Sequence, residues 1–185
     1  MIHGWGGSPE SDWFPWAKKE LESRDFEVFV PEMPDTDNPK IDSWIQKIKE
    51  TVGEVKPNDI FIGHSIGCQA IERFLETLPE DEKIEKAILV APWTTLKEQT
   101  FTDLETDRSV AEPWLSTPIN YQKIGKMSDR WISIFSDDDP YVDYEENFPV
   151  YKDKLGAKIY LKHGLGHIAG EQGITELPLL LDFME

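Results

Sequence analysis

The feature that most restricts the fold of this chain lies in residues 59–78, where a short apolar run leads into a Gly-x-Ser-x-Gly motif and then into a helical pattern. The motif reads Gly-His-Ser-Ile-Gly at positions 63–67. This order predicts a buried strand, a sharp turn and a helix. Glycine fits both ends of such a turn, because a side chain there would collide with neighbouring backbone.

The same turn has a chemical consequence. It projects the serine hydroxyl, which makes Ser65 a candidate nucleophile. The backbone N–H of Ile66, at the start of the helix, is a candidate donor to negative charge that develops beside the serine. A five-residue motif can also arise by chance, so the alternative is an inert serine in an ordinary strand–turn–helix unit.

Composition excludes several classes of protein. The chain has 185 residues, 39% of them hydrophobic, which predicts one globular domain over residues 1–185. Its net charge of −17 opposes binding to phosphate backbones, so we expect no nucleic-acid partner. No apolar run is long enough to cross a membrane, and no signal peptide is visible. Because Cys68 is the single cysteine, no disulfide forms within the chain, and a cytoplasmic location is expected.

Strands and helices alternate along the chain. The apolar runs predict strands at residues 26–30, 60–62, 87–91, 131–135 and 157–161. The helical spacings predict helices at residues 11–23, 41–52, 66–78, 143–155 and 174–183. Pro149 must start, break or kink one segment of the fourth helix. Residues 92–130, with many charges and three prolines, are expected to form loops and short helices over the strand ends.

This alternation indicates an α/β fold with a mostly parallel sheet and helices on both faces. Ligands of such sheets bind beyond the carboxyl ends of the strands. The Ser65 turn and three loops are expected there, at residues 3–7, 136–142 and 164–170.

An acidic loop and a histidine loop follow two later strands. A serine nucleophile needs a base and an orienting carboxylate, in the chain order serine, acid, histidine on this fold. Three aspartates stand at 137–139, and Asp139 is favoured because it precedes Pro140 where the loop leaves the sheet; Asp138 is the alternative. The two remaining acids are expected to face solvent or to cap the next helix. A metal site here lacks a second cluster of ligands, so no metal is expected.

Four histidines compete for the role of the base. His167 is favoured because it lies in a glycine-rich loop after the last strand, and His163, nearer the strand, is the alternative. His64 adjoins Ser65, but adjacent side chains at an elbow diverge, so it is expected to pack in the loop. His3 is expected to orient the first loop through hydrogen bonds.

The first glycine-rich loop is a candidate for the second donor to an oxyanion. The N–H of Trp5 is favoured, with Gly4 or Gly6 as alternatives, and a plain tight turn is the other interpretation. The loop matches neither a dinucleotide-binding motif nor a Walker loop, so no cofactor is expected. Only Met1 and Ile2 precede it, so the chain is expected to begin within its first strand.

With these residues in place, the chain resembles the small α/β-hydrolase family typified by retinoblastoma-binding protein 9, and in particular its bacterial members. The resemblance covers nearly the whole chain and rests on residues 3–5, 13–21, 63–67, 136–140 and 166–167. It implies a triad of Ser65, Asp139 and His167 in a compact three-layer sandwich without a large cap domain. The family's first strand is longer than the two residues here. The Leu-x-Cys-x-Glu motif is absent, so no retinoblastoma-type partner is expected.

These observations predict a serine hydrolase that cleaves a small ester or related acyl substrate through an acyl-enzyme. The absence of a cap favours a shallow site and short acyl groups. Four aromatic residues are candidate pocket walls: Trp5, Trp93, Trp114 and Tyr141. Two alternatives stay open, a largely non-catalytic protein-binding module on a hydrolase scaffold and an acyltransferase.

Overall fold

Four parallel strands form the sheet in the computed structural model, which describes residues 1–103 and 108–184. They are adjacent in chain order: β1 (Ile60–His64), β2 (Lys86–Val90), β3 (Trp131–Ser136) and β4 (Lys158–Lys162). Parallel pairing brings all four carboxyl ends to one edge, as the sequence predicts. The predicted first strand is reduced to one bridge, in which Ile2 N–H donates to Ile62 O (2.8 Å) and His64 N–H donates to Ile2 O (3.0 Å).

Helices cover the sheet and its loop edge. The α-helices are α1 (Phe14–Glu22), α2 (Ile41–Val52), α3 (Ile66–Thr77), α4 (Gln99–Asp103), α5 (Arg108–Ser116), α6 (Tyr121–Ile124) and α7 (Tyr144–Pro149). A π-helix continues α7 (Val150–Leu155), and 3-10 turns lie at Gly125–Met127, Gly170–Gln172 and Pro178–Phe183. Within the residues that the structure describes, no helix combines the length and apolarity needed to cross a bilayer.

Two apolar cores lie on opposite faces of the sheet. Successive strand residues point to opposite faces; Phe61 belongs to the core under α2 and α3, whereas Ile62 belongs to the core under α1 and the last 3-10 turn. The arrangement is therefore the expected three-layer α/β sandwich, with both faces of β1 to β3 buried.

The segment after β2 matches its prediction where it is described. It holds the three short helices α4, α5 and α6 and a 3-10 turn between β2 and β3. Its residues 104–107 lie outside the described part of the chain. The described part contains no large cap domain.

The predicted strand at residues 26–30 is wrong. The structure has no strand there. Phe29 is 53% exposed, and its carbonyl oxygen accepts a hydrogen bond from the Met1 nitrogen (2.7 Å). A cavity of about 720 Å³ lies between this segment and β1. The residues of this segment favour a strand, but a strand needs a hydrogen-bonded neighbour. The adjacent segment at Met1 and Ile2 forms only the single bridge at Ile2, so no ladder extends to residues 26–30.

Two helices also differ from their predicted bounds. The closing helix is a 3-10 turn that begins at Pro178, because proline disfavours the helical conformation of the residue before it, and Leu177 has φ −133° and ψ 72°. The first helix begins at Phe14 rather than residue 11, since Asp12 has a positive φ of 54° and Pro15 fits the first turn. Pro149 marks the change from α- to π-helix, as the expected break in that segment.

Candidate active site

Ser65 occupies a strained turn between β1 and α3. Its φ of 54° and ψ of −124° lie in a region that non-glycine residues rarely adopt. The turn is held by neighbouring backbone, since Ser65 N–H donates to Val90 O of β2 (2.9 Å). The side chain stands at the loop edge of the sheet, where only 8% of the residue is exposed.

The two glycines of the motif are fixed by close backbone contacts. A Cβ at Gly63 would lie 2.8 Å from the backbone N and Cα of Cys68, and one at Gly67 would lie 2.4 Å from Ile2 O. Both distances are shorter than real side chains tolerate, so the elbow requires glycine at both positions. The second contact also packs the start of α3 onto the short bridge at Ile2.

A hydrogen-bonded chain runs from the serine to a buried carboxylate. His167 Nε2 lies 2.9 Å from Ser65 Oγ, and His167 Nδ1 lies 2.8 Å from Asp139 Oδ2. The second oxygen of Asp139 accepts the N–H groups of Tyr141 (2.8 Å) and Val142 (3.0 Å). With Nδ1–H donating to the carboxylate, Nε2 is free to accept the serine proton, which is the requirement for a base.

The alternative acid and base lie away from the serine. His163 has an 80% exposed side chain, and its Nδ1–H donates to Asp137 Oδ2 (2.6 Å). Asp138 Oδ1 accepts from Ser136 Oγ–H (2.7 Å) and from Gly166 N–H (2.8 Å). The structure therefore brings Asp139 and His167, the favoured pair, to Ser65.

Sequence reasoning missed what Asp137 and Asp138 contact. Both are exposed, as expected, but neither caps the next helix, which Asp143 caps instead. Asp137 Oδ1 accepts from Gly164 N–H (3.2 Å), so the two carboxylates hold the loop that carries His167. These hydrogen bonds, chiefly from His163 to Asp137 and from Ser136 to Asp138, lower the pKa of both carboxyls.

The first glycine-rich loop packs directly on the elbow. A Cβ at Gly4 would lie 3.4 Å from Ser65 Cβ. Within the described residues, the backbone N–H groups of Trp5 and Ile66 have no hydrogen-bond acceptor. Gly6 N–H already donates to Thr36 O (2.9 Å), so Gly6 is unsuited to bind an oxyanion. Trp5 and Ile66 thus meet the requirement for free donors near the serine, as does the alternative Gly4, whose N–H also has no acceptor among the described residues.

His64 connects the elbow to the base loop. It is buried, and its Nε2–H donates to the backbone O of His167 (2.9 Å). Burial, together with the neighbouring His167, lowers the pKa of His64 to about 4, so its ring is neutral near pH 7. The prediction of simple loop packing overlooked this hydrogen bond, for which the sequence holds no signal.

His3 contacts the first loop, where it was expected. Its Nε2 accepts from Met33 N–H (3.3 Å), which leaves Nδ1–H to donate to Gly4 O (3.1 Å). Burial lowers the pKa of His3. The ring therefore fixes the backbone just before Trp5.

One cavity of about 550 Å³ joins Ser65, His167 and the Trp5 loop. Trp93 and Tyr141 also line it, and Trp93 Nε1–H donates to Ser65 Oγ (3.3 Å). The fourth aromatic candidate does not line this cavity: Trp114 is buried, and its Nε1–H donates to Pro39 O (2.9 Å). Among residues 1–103 and 108–184, no group of three His, Cys, Asp or Glu side chains could hold a metal ion.

The parallel sheet with its strand–serine–helix elbow defines the class of the protein, the α/β hydrolases. Solved structures agree. The ydeN gene product of Bacillus subtilis superposes with a TM-score of 0.88 at 27% identity, over 99% of this chain and 94% of that one. Carboxylesterase CesB (YbfK) of Bacillus subtilis has a TM-score of 0.65 at 14% identity, over 98% and 79% of the two chains, a likeness in fold alone.

Sequence comparison gives the family. The model described as serine hydrolase matches residues 1–185, so the chain belongs to the serine hydrolase family. It is 28% identical over 184 residues to YdeN of Bacillus subtilis (strain 168), covering 100% of this chain and 92% of that protein. It is 30% identical over 166 residues to the serine hydrolase RBBP9 of Rattus norvegicus, covering 89% and 82%. The family assigned from the sequence is confirmed.

Proposed function

We propose that this protein hydrolyses small esters or related acyl compounds with Ser65 as the nucleophile. The observation that carries the proposal is the continuous hydrogen-bonded chain from Ser65 through His167 to Asp139, which opens into a single cavity. His167 takes the proton of Ser65 as the hydroxyl attacks the acyl carbonyl. Asp139 holds the imidazole tautomer and stabilises the imidazolium that forms.

The tetrahedral intermediate carries a negative oxygen that needs donors. The N–H groups of Trp5 and Ile66 supply them in this proposal, supported by their lack of acceptors among the described residues. His167 then returns the proton to the leaving alcohol, and an acyl-enzyme remains on Ser65. Water, activated by the same imidazole, attacks the acyl carbon and releases the acid.

The shape of the site supports an esterase-type substrate. Without a large cap in the described part of the chain, the cavity is open to solvent and suits short acyl groups. A non-catalytic binding module would not need the free donors and the oriented base on one cavity wall. Analysis of the products distinguishes hydrolysis from acyl transfer to another acceptor.

Labelling with a fluorophosphonate tests the proposal. Fluorophosphonates react with an activated serine and remain bound to it. We expect the wild-type protein and the matched control Ser116→Ala, which changes an exposed serine of α5, to take the label, and Ser65→Ala to take none. Absence of label on the wild type, or equal labelling of Ser65→Ala, would contradict a nucleophilic Ser65.

A further inference from the structure

The cavity beside Ser65 is lined by acids and aromatic rings, with the two histidines of the elbow and the base loop. Among the described residues, no lysine or arginine lines it. The acids are Asp12, Asp37 and Glu171, and the aromatic residues are Trp5, Trp93 and Tyr141. We infer that the site selects esters bearing a positively charged group, an ammonium, close to the ester bond. The inference rests on the proposed function and names its substrate class.

Asp12 carries the innermost of these charges. Its side chain is half-buried, and Oδ1 accepts from Gly170 N–H (2.6 Å). Oδ2 lies 3.8 Å from His64 Nδ1. Because His64 donates its single ring proton to His167 O, Nδ1 presents a lone pair and has no hydrogen-bond partner within the described residues. The neutral ring therefore leaves the charge of Asp12 uncompensated.

The two remaining acids lie on the exposed rim of the cavity. Glu171 Oε1 accepts from Tyr141 O–H (3.0 Å), and the Tyr141 ring lies 5.2 Å from the ring of His167. That contact keeps a carboxylate close to the base. Neither Glu171 nor Asp37 forms an ion pair with a described residue.

Lys97 is the basic residue to consider as a counterion. Its Nζ donates to the backbone O of Asp139 (2.7 Å), outside the cavity lining. Lys97 therefore contacts the backbone of the loop after β3 and does not line the cavity beside Ser65. The carboxylates around the cavity act together, since a cleft lined by one sign of charge concentrates the field.

The aromatic rings favour the same group. Ammonium groups bind over the faces of Trp and Tyr rings by cation–π attraction. The Trp5 indole is fixed beside an acid, because its Nε1–H donates to Asp37 O (3.1 Å). Rings and carboxylates in one cavity are the combination that attracts a cation and repels a carboxylate-bearing acyl group.

Isosteric esters provide a direct test. The first pair has the same aryl leaving group and either a γ-trimethylammoniobutyryl chain or its all-carbon isostere, with a hemiglutaryl ester as the anionic member. The second pair places the charge on the alcohol: butyrylcholine and the ester in which carbon replaces its nitrogen. Each kcat/KM is divided by the rate of alkaline hydrolysis of the same ester, which removes differences in intrinsic reactivity.

We expect the cationic member of at least one pair to exceed its neutral isostere by about tenfold at low ionic strength, and the anionic ester to be the poorest. In about 1 M NaCl, where the Debye length is about 3 Å, the preference should shrink toward unity. The double variant Asp37→Asn/Glu171→Gln should also reduce it. The matched control, Glu80→Gln/Asp81→Asn, changes two exposed acids outside the cavity and should keep it.

Equal normalised rates within both pairs would overturn the inference, as would a control variant that reduces the preference as much as the cavity variant. If neutral esters are turned over and Ser65 is labelled while no preference exists, the inference alone fails. If no ester is turned over and Ser65 takes no label, the proposed function fails and this inference with it. If a cavity variant folds poorly, the preference of the wild type for the cationic ester, measured at low and at high salt, still tests the inference.

Discussion

At the scale of single residues, the surroundings of each histidine determine what its ring can do. His167 has a carboxylate on one nitrogen and a hydroxyl on the other. His64 uses its proton on a backbone oxygen and is neutral because it is buried. His163 is exposed and faces a carboxylate at the surface. The same type of side chain thus forms the proposed base, a link between loops and a surface contact.

Replacing the histidines separately distinguishes these roles. We expect His167→Ala to lower kcat for a short ester by about a thousandfold or more, because Ser65 loses its proton acceptor. His163→Ala should change kcat by at most about threefold. Steady-state kinetics on both variants, with circular dichroism to verify folding, measures the difference. A larger loss in His163→Ala would show that the base has been assigned to the wrong ring.

At the scale of elements, three consecutive aspartates join the loop after β3 to the loop after β4. Asp137 and Asp138 bind the N–H groups of Gly164 and Gly166, and Asp139 binds the imidazole of His167. A carboxylate that accepts backbone N–H groups restricts the loop that supplies them. The position of His167, the proposed base, therefore depends on two side chains that form no hydrogen bond with Ser65.

We accordingly expect Asp138 to act as a positioning residue for His167, the proposed base. Asp138→Ala removes the acceptor for Ser136 and Gly166, and we expect kcat to fall by about tenfold with little change in KM, because a displaced base loses geometry rather than substrate affinity. Asp138→Asn retains an acceptor oxygen and should recover most of the activity. Steady-state measurement of kcat and KM for the wild type, Asp138→Ala and Asp138→Asn tests this prediction. An unchanged kcat in Asp138→Ala, or a loss that Asp138→Asn does not recover, would contradict positioning.

Elements with a strong local signal could be predicted from the sequence. The strand before Ser65 and the helix after it follow from an apolar run, two glycines and helical spacing, all within twenty residues of one another. Asp139 and His167 could be predicted because each follows its own strand. The order of those strands brings the two loops together at one edge.

Features that depend on distant partners could not be predicted. Residues 26–30 have strand propensity, but a strand also needs a neighbour, and the bridge at Ile2 does not provide a ladder. The bonds from Asp138 to Gly166 and from His64 to the His167 carbonyl join residues far apart in the chain. No local pattern specifies such contacts, which appear only when the loops are placed in space.

At the scale of the whole molecule, a buried polar cluster on α3 ties this helix to the segment between β2 and β3. Arg73 Nη2–H groups reach Trp114 O (3.0 Å) and Thr117 O (2.8 Å), which joins α3 to the end of α5. Glu72 is fully buried beside it and accepts from Tyr121 O–H (3.3 Å). This cluster makes the stability of the fold depend on a carboxyl group that water does not reach.

Glu72 predicts a pH dependence of stability. Burial raises its pKa from 4.5 to about 8, with Tyr121 and Arg73 offsetting part of the effect. Between these values the folded state binds a proton that the unfolded state has lost. The free energy of unfolding therefore falls as the pH rises from about 4.5 to about 8, by up to about 5 kcal/mol, and Glu72 adds no further slope above that range. Glu72→Gln should remove this slope, whereas the matched control Glu54→Gln, on an exposed residue, should retain it. Urea unfolding across this pH range measures the effect, and equal slopes in the wild type and Glu72→Gln would show that Glu72 is not its source.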